Sequence, residues 1–294
     1  MVKTSRAVNK IKVLRERYFK AAEGKEELLK LISETEVAEQ VYNSNAIENS
    51  TLTLEETEKI LLQIDLDRYI GEREIFEAKN LARVVAYIDK RAKEQELTLD
   101  VMLSLHKMLI SNIRDDIAGR FRQDGEYVRV GNYIAPNPKE VIGLLKKMLT
   151  DYNGASYENI VEKIARFHLT FEHTHPFIDG NGRIGRVLNN YLLVREGFVP
   201  INIKFIDRNK YYEAFREFDK NSESTVMEEI VGRALTNSYH KRLAYLEGKK
   251  IISLAEFAKN NKLSHSNLIN KANRQTIEAF LEKGIWKIGI DLEK

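Results

Sequence analysis

Proline is almost missing from this chain: four residues, at 136, 138, 176 and 200, among 294. Proline breaks helices because its ring clashes with the preceding turn and its nitrogen has no hydrogen to donate. Its scarcity leaves long stretches free to run as helix, and their apolar residues recur at helical spacing. The predicted architecture is mainly α, with one or two short β excursions. No apolar run approaches the roughly 18 residues of a membrane span. The basic stretch from Met1 to Lys30 lacks the apolar core of a signal peptide, so a cytoplasmic location is expected. Cysteine is absent, which excludes disulfides, thiolate catalysis and Cys-ligated zinc. A net charge of +3 is too small to imply nucleic-acid binding by itself.

The chain reads as a helical series. Helices are predicted over Ile11–Ile32, Glu36–Ile47, Glu74–Arg91 and Leu99–Ile110, and Thr53 with Glu56 forms a capping box that opens another. Tyr127–Pro136 is rich in β-branched and aromatic residues around Gly131-Asn132, a β-hairpin signal. Helices resume at Pro138–Asp151 and Tyr157–Phe171. A further helix runs to Glu196, with Gly197 as its left-handed stop. Asn209–Phe218 and Thr225–Lys241 follow, and Glu247–Lys250 reads as a linker. Beyond it, Ser253 with Glu256 makes a second capping box. Ser253–Asn260 and Ser264–Asn273 have helix-turn-helix dimensions. Arg274–Lys283 is predicted as a third helix and Ile285–Ile290 as one short strand. The expected domains are an N-terminal helical region (1–96), a central domain (97–234), a helix end and linker (235–250) and a small C-terminal module (251–294).

Chemistry concentrates between His173 and Arg186, which hold three of the fifteen glycines and two of the six histidines. A glycine-rich turn feeding a helix N-terminus is an anion site, because free backbone N–H groups and the helix dipole both face the bound group. Asp179 is a hard oxygen ligand suited to Mg²⁺ that also touches phosphates. Gly180 and Gly182 let the backbone approach a pyrophosphate, and Asn181 adds an amide donor. Arg183 and Arg186 share a helix face, and each can clamp phosphate oxygens. His175 is the group whose ordinary pKa suits proton transfer near neutrality. The set fits transfer of a group from a nucleoside triphosphate. His173, His175 and Asp179 also admit a metal-hydrolase reading, but alternating histidines on a loop need a further ligand, and nothing nearby supplies one.

From His175 to Arg186 the order H-P-F-x-D-G-N-G-R-x-x-R resembles, at every defining position, the signature of the Fic family (Fido fold). The resemblance extends from about Leu97 to Ala234. It takes in Leu105-His106, Gly119-Arg120-Phe121-Arg122, the hairpin ending at Pro136, His168, and Tyr211-Tyr212. It implies a mainly α fold: a Fic/Fido helical core with a β-hairpin flap, behind an N-terminal helical region and before a winged-helix-like module. It implies a protein adenylyltransferase that moves AMP from ATP to a Ser, Thr or Tyr hydroxyl of a target protein, with autoAMPylation expected. In that scheme His175 takes the hydroxyl proton, Asp179 holds Mg²⁺ (or Mn²⁺), and Gly180, Asn181, Gly182 and Arg183 form the anion hole. Arg186 holds the γ-phosphate. Val130, Gly131, Asn132 and Tyr133 form the flap that aligns the target by β-augmentation. Tyr211 and Tyr212 line the adenine pocket, and Phe177 anchors the loop in the core.

Ser44, Glu48 and Asn49 resemble the family's inhibitory motif, (S/T)-x-x-x-E-(G/N). The resemblance implies autoinhibition: Glu48 pairs with Arg186 and takes the place that the γ-phosphate needs. Ser44 and Glu48 share a helix face.

Residues 251–294 carry seven Lys/Arg against five Asp/Glu. That balance leaves DNA contact open, through Ser264, His265, Ser266 and Asn267 at the start of a recognition helix. The absence of basic clustering favours a protein-binding or dimer-supporting role. The alternatives carried beside adenylylation are AMP removal or another phosphate transfer at the same site, and a nucleotide-sensing DNA-binding regulator. Homo-oligomerisation is left open, and no membrane partner is expected.

Overall fold

The computed structural model describes the backbone of residues 2–131, 133–154 and 159–291, and within them the side chains from residue 9 onward. In chain order the helices are α1 (Val2–Ala22), α2 (Glu26–Ile47), α3 (Leu54–Leu62), α4 (Glu72–Arg91) and α5 (Leu99–Ile110). A hairpin follows, β1 (Arg129–Val130) with β2 (Tyr133–Ile134). Then come α6 (Val141–Gly154), α7 (Ile160–Thr174), α8 (Asn181–Arg195), α9 (Arg208–Asn221) and α10 (Thr225–Leu246). The last segment is β3 (Lys250–Ser253), α11 (Leu254–Asn260), α12 (His265–Asn273), β4 (Ala279–Glu282) and β5 (Ile285–Ile290). The chain divides into two compact units, Val37–Val231 and Met1–Glu36 with Gly232–Lys294. No described helix is long and apolar enough to cross a membrane.

The larger unit is built round α8. Twelve of its residues are buried, Arg183, Arg186 and Asn189 among them. A helix hidden on every side is a core helix rather than an amphipathic cover. It packs against α4, α5 and α7. α4 faces inward with Ala78, Leu81, Val84 and Ile88, and α5 with Val101, Met102, Leu105 and Leu109. Thr53 forms the expected capping box: its hydroxyl accepts from the Glu56 amide and its own amide donates to the Glu56 carboxylate. Gly197 ends α8 as expected, at φ 72, and the Phe198 amide returns to the Leu193 carbonyl.

Several helix boundaries move. The first predicted helix breaks at Gly24 (φ 69), and its second half joins the next in one continuous α2 that carries the predicted inhibitory segment at its end. α10 runs on past Lys241 to Leu246, and Lys250 already belongs to a strand. Tyr157 lies outside the described residues.

The predicted third helix at Arg274–Lys283 is instead a turn and bend that lead into the strand Ala279–Glu282. Gln275 and Lys283 take left-handed backbone (φ 53 and 50), and Gly284 follows at φ 76. Two successive positive φ values make the tight turn that suits a twisted hairpin. β4 and β5 therefore pair antiparallel, and β3 adds to the other side of β5 in the order β3-β5-β4. Leu254, Ala258, Leu268, Ala272 and Ala279 form a small core with Trp286 and Ile288. Strand pairing over that core outweighs local helical preference.

Candidate active site

α7 leads directly to the loop that carries the motif. His175 caps the helix in left-handed conformation (φ 46, ψ 60), and its amide returns to the Phe171 carbonyl. Its Nδ1 stands 3.3 Å from the Glu172 carbonyl. A carbonyl only accepts, so Nδ1 carries the hydrogen and Nε2 is left with a lone pair. Burial pushes the His175 pKa down to about 4. The imidazole is therefore neutral at physiological pH, the form a base requires.

The loop is tied from inside. The Asn181 side chain accepts from the Phe177 amide at 2.9 Å and donates to the Phe177 carbonyl at 2.8 Å. This corrects the reading of that side chain as a ligand donor: it is spent on the loop, and what Asn181 offers an anion is its backbone N–H. Phe177 is fully buried and stacks on His106 at 3.8 Å between ring centroids. His106 Nδ1 accepts from the Gly119 amide, so its Nε2 donates to the Asp179 carbonyl at 3.1 Å. Gly180 opens α8 at φ 84, and an added Cβ would stand 3.0 Å from Ile110 Cδ1. The conformation calls for glycine there, and the close approach of Ile110 adds to the strain of any replacement. Arg122, buried between the loop and the hairpin base, donates to the carbonyls of His175, Pro136 and Glu126.

Beside the loop is a cavity of about 830 Å³, whose lining includes Glu48, His175, Gly182, Tyr133, Tyr212 and Arg216. The hairpin sits at its edge, with Val130 opposite Tyr133 and Gly131 at φ 57; Asn132 lies outside the described residues. Tyr133 donates to the His173 carbonyl at 3.0 Å and its ring stacks on the His173 ring. His173 Nδ1 is 2.8 Å from Asp219.

Arg186 is held by the end of α2. Its Nε donates to Ser44 Oγ at 3.0 Å, and its Nη2 to the Ser44 carbonyl at 2.8 Å and to Glu48 Oε1 at 3.0 Å. Its Nη1 donates to the Tyr211 hydroxyl at 3.2 Å. Burial disfavours the charge on Arg186, but Tyr211 and Glu48 outweigh it and its pKa is raised. Asn49, at φ 70, turns the chain out of the helix, a conformation that Asn and Gly tolerate best. The last carbonyls of a helix have no partner within it, and here each finds one. Ser44 O takes Arg186, Asn45 O and Ala46 O take the amides of Ser50 and Asn49, and Ile47 O takes the Tyr212 hydroxyl at 3.1 Å. Tyr211 is buried, and its hydroxyl also meets His168 Nε2 at 2.7 Å.

Several residues of the site are not singled out by the motif. His106 and Arg122 fall within the wider family resemblance but carry no role in it. Glu172 is buried beside Glu48 and Arg186, and burial first, then the Glu48 charge, pushes its pKa up to about 8. Arg73 and Glu77 reach the loop from the first turns of α4: Arg73 Nη2 is 2.9 Å from Asp179 Oδ2, and Glu77 Oε1 is 3.0 Å from Arg183 Nη1. Their i,i+4 spacing is the one sequence feature that links them.

Among the described residues, no three His, Cys, Asp or Glu side chains stand together to hold a metal ion. Asp179 offers a single carboxylate, paired with Arg73 and Arg183, and its side chain is 30% exposed. It fits a cation that brings phosphate and water oxygens as its other ligands, the habit of Mg²⁺.

The sequence profile of the Fic/DOC family matches residues 96–193. The "Protein adenylyltransferase Fic" of Nematostella vectensis is 29% identical over 217 residues, which is 70% of this chain and 48% of that protein. The chain thus spans about half the length of the curated relatives it matches. A Fic domain containing signaling protein from Bacteroides thetaiotaomicron superposes with a TM-score of 0.72 at 24% identity, covering 82% of this chain and 97% of that one. A Fic family protein from Desulfovibrio desulfuricans covers 98% of this chain and 97% of its own, with a TM-score of 0.66 at 18% identity. At these identities the structural likeness is one of fold.

Proposed function

We propose that this chain, which belongs to the Fic/DOC family, is a self-restrained protein adenylyltransferase. The carrying observation is a neutral His175, with Nε2 free to accept a proton, at the rim of a nucleotide-sized cavity beside the N-terminus of α8. The target hydroxyl oxygen attacks the α-phosphorus of ATP, its proton passes to His175 Nε2, and the bond to the β-phosphate breaks, releasing pyrophosphate. The backbone N–H groups at Asn181–Arg183 receive phosphate oxygens, as an unpaired helix N-terminus does. Asp179 would hold Mg²⁺ or Mn²⁺, which when bound offsets phosphate charge. The hairpin edge at Val130 and Tyr133 would take the target segment as an added strand. Tyr212, on the cavity wall, is the stronger adenine contact. Tyr211, buried and bonded to Arg186, acts through that arginine.

Restraint comes from α2. Arg186 is the γ-phosphate clamp in this reading, and Glu48 with Ser44 already occupies it. The order helix, strand, helix, turn, helix, hairpin in α10–β5 supports a winged-helix-type module at the C-terminal end.

The test is incubation with ATP labelled at the α- or the γ-phosphate, using wild type, His175→Ala and Glu48→Gly. Protein label from the α-position alone, lost in His175→Ala and raised in Glu48→Gly, supports adenylylation. Label from the γ-position overturns it.

A further inference from the structure

The geometry points to Arg73, delivered by α4, as a phosphate-binding residue that guards Asp179 until nucleotide arrives. This rests on the adenylyltransferase reading, and it assigns the site a group that the motif does not contain.

Both oxygens of the Asp179 carboxylate are occupied by guanidinium groups. Arg73 Nη2 lies 2.9 Å from Oδ2, and Arg183 Nη2 lies 3.3 Å from Oδ1. The same two arginines share one oxygen of Glu77: Arg73 Nε at 3.1 Å and Arg183 Nη1 at 3.0 Å from Oε1. Two carboxylates and two guanidinium groups thus close a neutral ring. Its corners differ in freedom. The side chain of Arg183 is 4% exposed and that of Glu77 12%, whereas that of Arg73 is 58% exposed. Arg183 and Glu77 are fixed, and Arg73 is the corner that can leave at little cost, because an exposed ion pair contributes little. Arg183 keeps one buried donor, Nε, with no partner in the protein. A buried guanidinium N–H left unpaired is costly, and it marks the ring as a place awaiting an anion.

Two consequences follow from charge. Oδ2 cannot serve a cation while Arg73 occupies it, and a divalent cation added to a neutral ring leaves an uncompensated charge of two beside two arginines. A bare cation is therefore disfavoured, and a cation arriving with polyphosphate is not, because the anion more than offsets the cation's charge and leaves a negative excess for the two arginines to meet. Arg73, once off Oδ2, retains only Glu77, which Arg183 already shares. The nearest new acceptors are the non-bridging oxygens of the phosphates brought to Asp179. There its planar fork suits phosphate, and it meets the negative charge that passes to pyrophosphate as the α–β bond breaks.

The test compares Arg73→Ala and Arg73→Lys in the full Glu48→Gly chain. Titrations use Mn²⁺ alone (followed by its electron-spin signal), Mn²⁺-pyrophosphate, Mn²⁺-ATP and AMP. Arg73→Ala should weaken Mn²⁺-pyrophosphate and Mn²⁺-ATP roughly tenfold, leave AMP unchanged and strengthen Mn²⁺ alone. Arg73→Lys should fall between, keeping charge without the fork. If Arg73→Ala unfolds the chain, the Lys variant alone decides. Unchanged or tighter pyrophosphate binding in the folded variants overturns the proposal. A parent chain that binds Mn²⁺-pyrophosphate through Arg73 but transfers no AMP refutes the transferase reading instead.

Discussion

Arg186 Nη2 stands 3.0 Å from Glu48 Oε1 across 138 residues of sequence. The pair joins the end of α2 to the middle of the core helix α8. The partners differ in exposure: the Arg186 side chain is buried at 7%, while that of Glu48, at 35%, stays open to solvent. Solvent screening at the Glu48 end holds the contact to the lower end of the roughly 1.5–3 kcal/mol of a charge-assisted hydrogen bond.

Removing that carboxylate should release the enzyme. Glu48→Gly is expected to raise the initial rate of AMP transfer about tenfold. Glu48→Gln keeps a hydrogen-bond acceptor without the charge and should fall between. Equal rates for all three forms would show that Arg186 is not the point of control.

His175, the proposed base, should resist acid. An ordinary histidine titrates near 6.5, and burial holds His175 down to about 4. In the Glu48→Gly chain, kcat/KM for the protein target should stay level well below pH 6.5 and fall only as the pH approaches the lowered value. An acid limb centred at 6.5 would contradict the buried, neutral imidazole.

Glu172 makes stability depend on pH in the opposite sense to most acids. Its pKa is raised from 4.5 to about 8 by burial and by Glu48. Below pH 4.5 both folded and unfolded chains hold the proton. Between there and pH 8 only the folded chain does, so stability falls as pH rises, by up to about 1.4 kcal/mol per unit. Glu172→Gln imitates the protonated acid and should flatten that decline. Urea midpoints measured at pH 5 and pH 8 decide it; parallel losses in both proteins would show that Glu172 does not carry the proton.

Arg122→Ala should destabilise the chain by roughly 3–5 kcal/mol, because a buried cation and the four carbonyls it serves lose one another together. Since one of those carbonyls belongs to His175, AMP transfer by folded protein should fall as well. Urea unfolding and the transfer rate are the two readouts. A midpoint unmoved from wild type would mean that water replaces the guanidinium.

What sequence delivers is local. Thr53 and Glu56 announce a helix start through their own side chains, and Gly180 and Gly197 announce backbone that other residues resist. The motif from His175 to Arg186 lies on one loop and one helix, so its order in sequence is nearly its order in space. Ser44 and Glu48 are legible only through family resemblance, since their partner is remote. Arg73 and Glu77 stay hidden because their meaning depends on how α4 packs beside the loop, and no periodicity encodes that. The strand at Ala279–Glu282 reads as helix for a similar reason: its pairing with β5 is a tertiary fact, and Ala, Leu and Glu on their own favour helix.

The carbonyl of Ser44, one of the acceptors holding Arg186, belongs to the main chain, and it sits where the dipole of α2 gathers partial negative charge. The guanidinium therefore faces an anionic pole made of peptide groups as well as a glutamate, a stand-in for phosphate that no side-chain replacement can erase. Deleting Glu48 lowers the charge of that pole and leaves the pole in position. Under the proposed restraint, complete freedom for Arg186 requires the last turn of α2 to move, so translation of a helix end, rather than the identity of one residue, would be the full stroke.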